Sequence, residues 1–572
     1  MFKDKPAAIN LNRRTFLKAK ALGSTLLVGG ALPLLLQGCA PTPARPTVAP
    51  TPLKASTNAQ GDVPLEITLT AQKGNTQILS GAATATWNYH GEVVQGAASA
   101  VQAIPEAYLG PILHLRKGQK VRINLKNALD EPTIVHWHGL ITPPEMDGHP
   151  QTAIAPGQNY VYEFEVKNRA GTYWFHSHPH GRTAYQAYMG LAGLIVVTDD
   201  EESSLALPTG AHDVPLVLQD RTFDANNQLV YPTGQMQGMG PDAMQQMMGF
   251  LGDRILVNGR PDVTLPVATR VYRLRLLNGS NSRIYKLAWS NKLPLTVIAT
   301  DGGLLEKPVQ RDYVTLAPGE RVELWADFSK LAVGEQIKLQ SLQHNGVEAG
   351  MIMGGMTMQM PEMAALPNGA PFDVLTVQVE RQEAETLMLP AQLAQMERFQ
   401  AKTAVNAAQP RPFVLSMSNG QWLLNGKTFV MEEVDDSEKV AFGAFELWEF
   451  VNELNSASTA PATQGHTSHN HMGGNMNMSM AGGMADFMAH PMHVHGVQFQ
   501  VLNRQIDPAY EQGWQTLNEG LVDEGWKDTV LVMPGERVQI GVRFTDYKGR
   551  YLVHCHNLEH ENQGMMRNYL IA

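Results

Sequence analysis

The chain has 572 residues, which is too long for one ordinary core and predicts three or four domains. Its net charge of −10 is mild, and the sequence has no basic block with interleaved aromatics, which argues against nucleic-acid binding. The composition is rich in side chains that bind soft metals, with 28 Met and 19 His against only 2 Cys. Thioether, thiolate and imidazole groups suit copper, so the composition favours a copper protein.

Residues 1–39 predict export. Arg13–Lys18 precede an apolar run from Ala21 to Leu36, a pattern similar to a twin-arginine export signal. The alternative is a membrane anchor, but the run is short for a span and is broken by glycines and Pro33. We therefore expect the folded protein to be in the periplasm.

Cys39 closes a segment, Leu36-Gln37-Gly38-Cys39, that resembles a lipobox. Acylation there would anchor the mature chain to a membrane; the alternative is that Cys39 is only the end of the signal. Residues 40–62 are rich in Pro, Thr and Ala and predict an unpacked linker. If Cys39 belongs to the signal, Cys555 is the only cysteine of the folded body. A solitary thiol in an exported protein indicates protection by a metal.

From Val63 onward, short alternating runs separated by turn residues predict β-strands. An ungapped repeat is stronger evidence. Ala155–His178 and Met533–His556 share a Pro-Gly turn, a Gly-x-Tyr and a final His-x-His, and a third copy beginning at Ala317 lacks the histidines. The sequence therefore predicts an all-β fold of three related sandwiches, at residues 63–199, 200–390 and 391–572, with metal motifs in the first and last only.

Four His-x-His pairs carry the predicted chemistry, at positions 136/138, 176/178, 493/495 and 554/556. Side chains alternate between the faces of a strand, so each pair presents two imidazoles on one side, roughly 7 Å apart. Eight imidazoles can supply two, three and three ligands to three adjacent coppers. Such a cage is suited to binding dioxygen between metals.

Alternation also predicts that Cys555 points away from His554 and His556. Its thiolate would then bind a separate copper, with His490 and His560 completing a trigonal set and Met565 as a weak axial ligand. Zinc would need a tetrahedral set that this motif does not supply. Ser177 replaces the cysteine in the first repeat, so the first domain should lack the separate copper.

These motifs resemble the four copper motifs of the multicopper oxidases, in order, from about Val63 to the C-terminus. The resemblance implies three consecutive cupredoxin-like Greek-key β-sandwich domains and four copper ions per chain. It also implies four one-electron oxidations of a reducing substrate coupled to reduction of O2 to two waters. By motif position the implied ligands are His490, Cys555, His560 and Met565 for the type 1 copper; His136 and His493 for the type 2 copper; His138, His176 and His556 for one type 3 copper; and His178, His495 and His554 for the other.

Proton supply to dioxygen requires carboxylates near the cluster. Asp147 and Glu561 match the acidic positions with this role in the family, although an Asp before Gly148 is also typical of a turn.

Methionines cluster in three segments, at 236–248, 351–363 and 472–484, and thioethers select Cu(I). The last segment has no hydrophobic periodicity, which excludes it from a core. Among the family the chain resembles bacterial copper-efflux oxidases, which implies a substrate-copper site at Asp486, Met488, Met484 and Met480. We therefore expect an exported monomer that oxidises Cu(I). Two alternatives stay open: a general laccase acting on phenols or amines, and a copper-sequestering protein.

Overall fold

A computed structural model describes residues 51–53, 64–232, 241–348, 351–353, 356–358, 364–418, 420–452 and 488–572. The predicted export signal, Cys39 and most of the predicted linker lie outside these residues. Strands dominate the described structure. Its helices are short and are α1 (Thr183–Met189), α2 (Asp200–Ser203), α3 (Pro241–Met248), α4 (Glu511–Trp514) and α5 (Leu558–Asn562).

The first pair of sheets has the strand orders β2-β1-β5-β7 and β3-β4-β9-β8-β6. Its strands are β1 (Leu65–Thr76), β2 (Thr84–Gln95), β3 (Val101–Gln102), β4 (Ile112–Arg116), β5 (Lys120–Asn127), β6 (Val135–His136), β7 (Asn159–Glu165), β8 (Gly171–Ser177) and β9 (Ala192–Thr198). In β5 the apolar residues are buried and most of the alternate polar ones are exposed, as expected for a half-buried strand.

The second pair of sheets has the orders β11-β10-β13-β18-β15-β16 and β12-β22-β19-β14-β17, and β20 pairs with β21 in a separate ribbon. The strands are β10 (Asp213–Arg221), β11 (Arg254–Val257), β12 (Thr264–Ala268), β13 (Val271–Asn278), β14 (Tyr285–Trp289), β15 (Leu295–Thr300), β16 (Gly303–Arg311), β17 (Val314–Leu316), β18 (Arg321–Asp327), β19 (Gln336–Ser341), β20 (Met351–Met353), β21 (Met356–Met358) and β22 (Phe372–Arg381).

The third pair has the orders β24-β23-β26-β30-β28 and β25-β32-β31-β27-β29. Its strands are β23 (Arg411–Ser418), β24 (Gln421–Leu424), β25 (Lys439–Val440), β26 (Phe445–Asn452), β27 (His490–Val494), β28 (Phe499–Ile506), β29 (Thr529–Val532), β30 (Glu536–Arg543), β31 (Gly549–Cys555) and β32 (Met566–Ile571). Each pair of sheets encloses its own apolar core. The predicted all-β class with three cupredoxin-like sandwiches is confirmed.

The two repeats that carry histidines occupy equivalent places in their sheets. In the first domain β6 pairs with β8, and His136 lies opposite His176. In the third domain β27 pairs with β31, and His493 lies opposite His554. The strand pairing thus brings together motifs that are far apart in the sequence.

Part of the segment predicted to be an unpacked linker is packed. Leu53 is buried, and its backbone N–H donates to the carbonyl of Asp213 at 2.8 Å. Residues 40–62 are polar and proline-rich on average, so their composition did not predict that the Leu53 side chain packs between the first and second domains. Within the described residues, no helix is both long enough and apolar enough to cross a membrane.

Candidate metal centre

Each His-x-His pair lies where a strand ends. The first histidine belongs to β6, β8, β27 or β31, and the second histidine lies just beyond the last residue of that strand. The middle residue points the other way, as Trp137 does in the first core and Cys555 does in the third. The two ring centroids of a pair are 4.9–5.8 Å apart, closer than the spacing expected from an ideal strand because the backbone leaves the strand within the motif.

The eight imidazoles converge on one buried site between the first and third domains, and none is more than 1% exposed. Rings from the two domains stack directly, His136 on His495 and His138 on His493, each with centroids 3.7 Å apart. Nitrogens within 4.8 Å of one another form the sets His136/His138/His176, His136/His493/His495 and His178/His495/His554. The last set is the one expected for a type 3 copper.

Hydrogen bonds orient most of these rings. Nδ1–H of His136 donates to the Asp147 backbone carbonyl at 2.7 Å, and Nδ1–H of His495 donates to the Asp147 carboxylate at 2.7 Å. Nδ1–H of His493 donates to the Asp528 backbone carbonyl at 2.8 Å. His138 is reversed, because its Nε2–H donates to the Asp528 carboxylate at 3.0 Å. An acceptor on one nitrogen fixes the tautomer and leaves the other nitrogen for a metal. His138 therefore offers Nδ1, whereas the other three offer Nε2.

Burial lowers the pKa of all eight rings, to about 3 for His176 and about 4 for His554, and neighbouring imidazoles lower it further in every ring except His554. The rings are therefore neutral near pH 7, which is the form that binds metals. Within the described residues, His138 Nδ1, His176 Nε2 and both nitrogens of His556 are buried without a hydrogen-bond partner. Such nitrogens are costly unless a ligand satisfies them, so the site fits copper ions.

The predicted type 1 residues form a second buried set. Cys555 Sγ lies 3.5 Å from His490 Nδ1 and 3.6 Å from His560 Nδ1. Met565 is buried in the same core, and its backbone N–H donates to the His560 carbonyl at 3.0 Å. A thiol, two imidazoles and a nearby thioether are a donor set typical of copper. Cys555 joins this set to the cluster through its covalent neighbours His554 and His556.

Asp147 lies in contact with the cluster. Its Oδ2 accepts from His495, and its Oδ1 is 3.7 Å from His136 Nδ1. Burial raises the pKa of the Asp147 carboxyl well above its usual range. A raised pKa makes a carboxyl group able to hold a proton near neutral pH.

Glu561 also reaches the cluster. Its carboxylate oxygens lie 3.5 Å from His178 Nε2 and 3.4 Å from His554 Nδ1. Burial raises the pKa of the Glu561 carboxyl to about 8. Two carboxyl groups that can carry protons therefore flank the histidines, and they do so beside different rings.

Sequence reasoning missed Asp528. Its carboxylate accepts from His138, Thr529 and Arg321, and its backbone carbonyl accepts from His493. It comes directly before β29, and β29 pairs with β27 so that Thr529 lies opposite His493. Only a prediction of that strand pairing could have brought it to notice, because no motif spacing includes it.

Of the residues predicted to bind substrate copper, Met488 is described. It is 4% exposed, packs in the third core and pairs through an isolated β-bridge with Glu348, a carboxylate that sequence reasoning missed. The bridge lies two residues before His490. Asp486, Met484 and Met480 lie outside the described residues.

Comparison with known proteins assigns the family. Sequence profiles described as multicopper oxidase match residues 85–202 and 404–572. The chain is 31% identical to a multicopper oxidase of Staphylococcus aureus over 87% of each chain, and 30% identical to a laccase of Bacillus stratosphericus over 80% of this chain and 88% of that one. It also resembles the crystal structure of the McoA multicopper oxidase of Aquifex aeolicus, with 32% identity, a TM-score of 0.68 and coverage of 88% and 96%. This chain belongs to the multicopper oxidase family.

Proposed function

We propose that this protein is an exported cuprous oxidase, which removes an electron from Cu(I) and delivers electrons to dioxygen to lower the amount of toxic Cu(I). Four resident coppers would be held by the Cys555 set and the eight-imidazole cluster, and they would supply the one-electron redox chemistry. The observation that carries the choice of substrate is the β-bridge between Glu348 and Met488 beside His490.

That bridge joins two parts of the chain that are rich in soft or acidic ligands. Glu348 comes three residues before the methionines at 351–363, and Met488 directly follows the segment that holds Met480, Met484 and Asp486. A second contact reinforces the bridge, because the Ala489 N–H donates to the Val347 carbonyl at 2.8 Å. Met488 and Glu348 line one small pocket, with Pro491 and Asn557 on its wall, and the Met488 thioether is the type of ligand that selects Cu(I).

The first methionine-rich segment, residues 236–248, also contacts the type 1 set. The carbonyl of Met247 in α3 accepts from Trp422 Nε1 at 2.8 Å, and that of Met248 accepts from Asn557 Nδ2 at 3.2 Å. Trp422 in turn stacks on His560, with ring centroids 4.0 Å apart. The described end of the 236–248 segment therefore borders the Cys555 set, which supports a soft-metal substrate there over phenols.

On this proposal, different residues of the chain bind the substrate ion, connect the two copper sites and hold protons. Met488 and Glu348 bind the substrate ion, and the His554-Cys555-His556 tripeptide connects the substrate side to the cluster covalently. Asp147 and Glu561 hold the protons that dioxygen consumes on reduction to water.

A laccase is the second candidate, because the Bacillus stratosphericus relative carries that name and aligns over 88% of its length. Oxygen uptake with Cu(I) and with a phenol distinguishes the two. Deletion of residues 466–484 should reduce Cu(I) oxidation more than phenol oxidation, because only Cu(I) needs the thioethers. Equal loss with both substrates would contradict the proposal. A copper-sequestering protein would bind Cu(I) and consume no oxygen.

A point variant gives a finer test of the bridge. Met488→Leu keeps the volume of a buried side chain, a type of change that usually costs less than about 1.5 kcal/mol, and removes the thioether. Met388→Leu is the matched control, because Met388 is 82% exposed. We expect only M488L to raise the KM for Cu(I), with the phenol kinetics unchanged in both. An unchanged KM in M488L would exclude Met488 as a substrate ligand.

The location is also a proposal: export to the periplasm by the twin-arginine type of signal, with Cys39 as a possible lipid anchor. Mass spectrometry of the mature N-terminus tests both parts. A chain that begins at an acylated Cys39 supports the anchor, and a chain that retains Arg13 and Arg14 contradicts processing. Size-exclusion chromatography of the same sample tests the proposed monomer.

A further inference from the structure

The second domain carries no histidine motif, yet one of its turns touches the copper cluster. This turn, residues 317–321, is the third copy of the Pro-Gly repeat. Gly319 and Arg321 are its contact points. We propose that this turn positions the cluster imidazoles His138 and His556, with Arg321 as a positioning residue that acts through Asp528. The proposal rests on the copper cluster and not on the identity of the reducing substrate.

Arg321 is fully buried and connects all three domains. Its Nη1 and Nη2 donate to the two carboxylate oxygens of Asp528 in the third domain, at 2.8 and 2.5 Å. Its Nε donates to the Thr172 carbonyl of the first domain at 3.1 Å. Its remaining donors reach the carbonyls of Gly319 and Asp301, both at 2.9 Å. A guanidinium held by five hydrogen bonds fixes the plane of the carboxylate that it binds through two parallel hydrogen bonds.

Asp528 in turn orients two of the cluster imidazoles by hydrogen bonding. Its carboxylate accepts from His138 Nε2, and its backbone carbonyl accepts from His493 Nδ1. The reversed tautomer of His138 therefore depends on a carboxylate that Arg321 holds in place. A lysine at position 321 would keep the positive charge, but it could not donate to both carboxylate oxygens of Asp528 and to the Thr172 carbonyl at the same time.

Two glycines give independent evidence that this packing is tight. Gly139 follows His138 with φ +85°, and a Cβ there would lie 2.3 Å from Asp528 Oδ2 and 2.7 Å from Arg321 Nη2. Gly319 also has φ +85°, and a Cβ there would lie 3.0 Å from Cγ of His556. The turn therefore packs against the face of one cluster ring and, through Asp528, orients a second. By motif position His138 and His556 are ligands of the same type 3 copper.

The arginine is tested with a matched pair of variants in the holoenzyme. Arg321→Lys removes the two-pronged contact with Asp528. Arg275→Lys is the control, because Arg275 is equally buried, pairs with Asp213 at 2.7 and 2.8 Å, and also reaches Thr172. Within the described residues, the Asp213 carboxylate accepts hydrogen bonds from Arg275 and from no histidine.

The readout is resistance of the bound copper to EDTA, with total copper measured by atomic absorption and the Cys555 copper by its blue absorbance. Loss of a group that supports a metal ligand costs about 10–100-fold in affinity. R321K should therefore lose cluster copper at about 10–100-fold lower EDTA while the blue absorbance persists, and R275K should resemble the wild type. Asp528→Asn should match R321K, and the double variant should add little, because both act through one contact.

The glycine pair tests the second contact. Gly319→Ala presses on His556, whereas Gly334→Ala has a similar φ of +92° and no atom within 4 Å of its new Cβ. Only G319A should lose cluster copper more readily. Equal behaviour of G319A and G334A, wild-type copper retention in R321K, or equal losses in R321K and R275K would each overturn the proposal. If R321K does not fold, the glycine pair decides. No reductant is used, so failure here is distinct from failure of the cuprous proposal.

Discussion

Asp147 makes two separable contributions that two substitutions can distinguish. Its carboxylate orients His495 through the 2.7 Å hydrogen bond, and its raised pKa lets it hold a proton beside the cluster. Asp147→Asn retains an oxygen that can accept from His495 but removes the titrating group. Asp147→Ala removes both.

The magnitudes follow from the contacts. D147A leaves the buried His495 Nδ1–H without an acceptor, and loss of a group that orients a metal ligand costs about 10–100-fold in metal affinity. D147N should hold copper nearly as well as the wild type. Both variants should lose turnover, because general acid catalysis contributes about 10²–10⁴-fold to a rate.

The assay measures oxygen consumption at saturating reductant, together with copper retained against EDTA. Asp130→Asn is the control, since Asp130 is an exposed carboxylate paired with Lys73. D130N should behave as the wild type in both measurements. Wild-type turnover in D147N would refute the proton role, and equal copper loss in D147N and D147A would refute the separation of roles.

Three further predictions concern the same two sites. Glu561→Gln should keep cluster copper and lose about 10²–10⁴-fold in turnover, because its carboxyl contacts His178 and His554; oxygen uptake at the wild-type rate would exclude a proton role. The Asn557 side chain caps α5 by accepting from the Glu559 N–H at 3.2 Å, and Asn557→Ala removes this cap. Urea unfolding should show that the free energy of unfolding falls by about 0.5–2 kcal/mol, and the blue absorbance should weaken before the protein unfolds. Removal of copper should lower the melting temperature, since a ligand at 1,000 times its Kd stabilises by about 4 kcal/mol, and calorimetry of the stripped and reloaded protein measures it.

The motifs predicted the multicopper oxidase family and the pairing of the histidine-bearing strands, because the strand imposes the geometry of each motif. Alternation placed Cys555 and Trp137 opposite their flanking histidines, and the repeat predicted that the first and third domains would carry equivalent motifs. The separation of the two rings in a pair was overestimated, because each strand ends inside its motif and the second histidine lies just beyond the strand end.

The residues around the histidines could not be predicted in this way. The hydrogen bond between His138 and Asp528 joins residues 390 positions apart, and Arg321 comes from a domain that no metal motif marks. Glu348 faces Met488 only because the second and third domains meet there. Such contacts depend on how domains pack, and one sequence shows periodicity and spacing within a domain far better than it shows packing between domains.

The central claim is that Cys555 joins two distinct copper sites, and Cys555→Ser tests it most directly. Serine keeps the size of the side chain, and Ser177 already occupies the equivalent position in the first domain. Copper analysis and absorption spectra of the purified variant should show loss of the blue band and of one copper per chain, with the cluster copper retained and turnover abolished. Retained turnover, or loss of the cluster copper together with the blue band, would contradict the account.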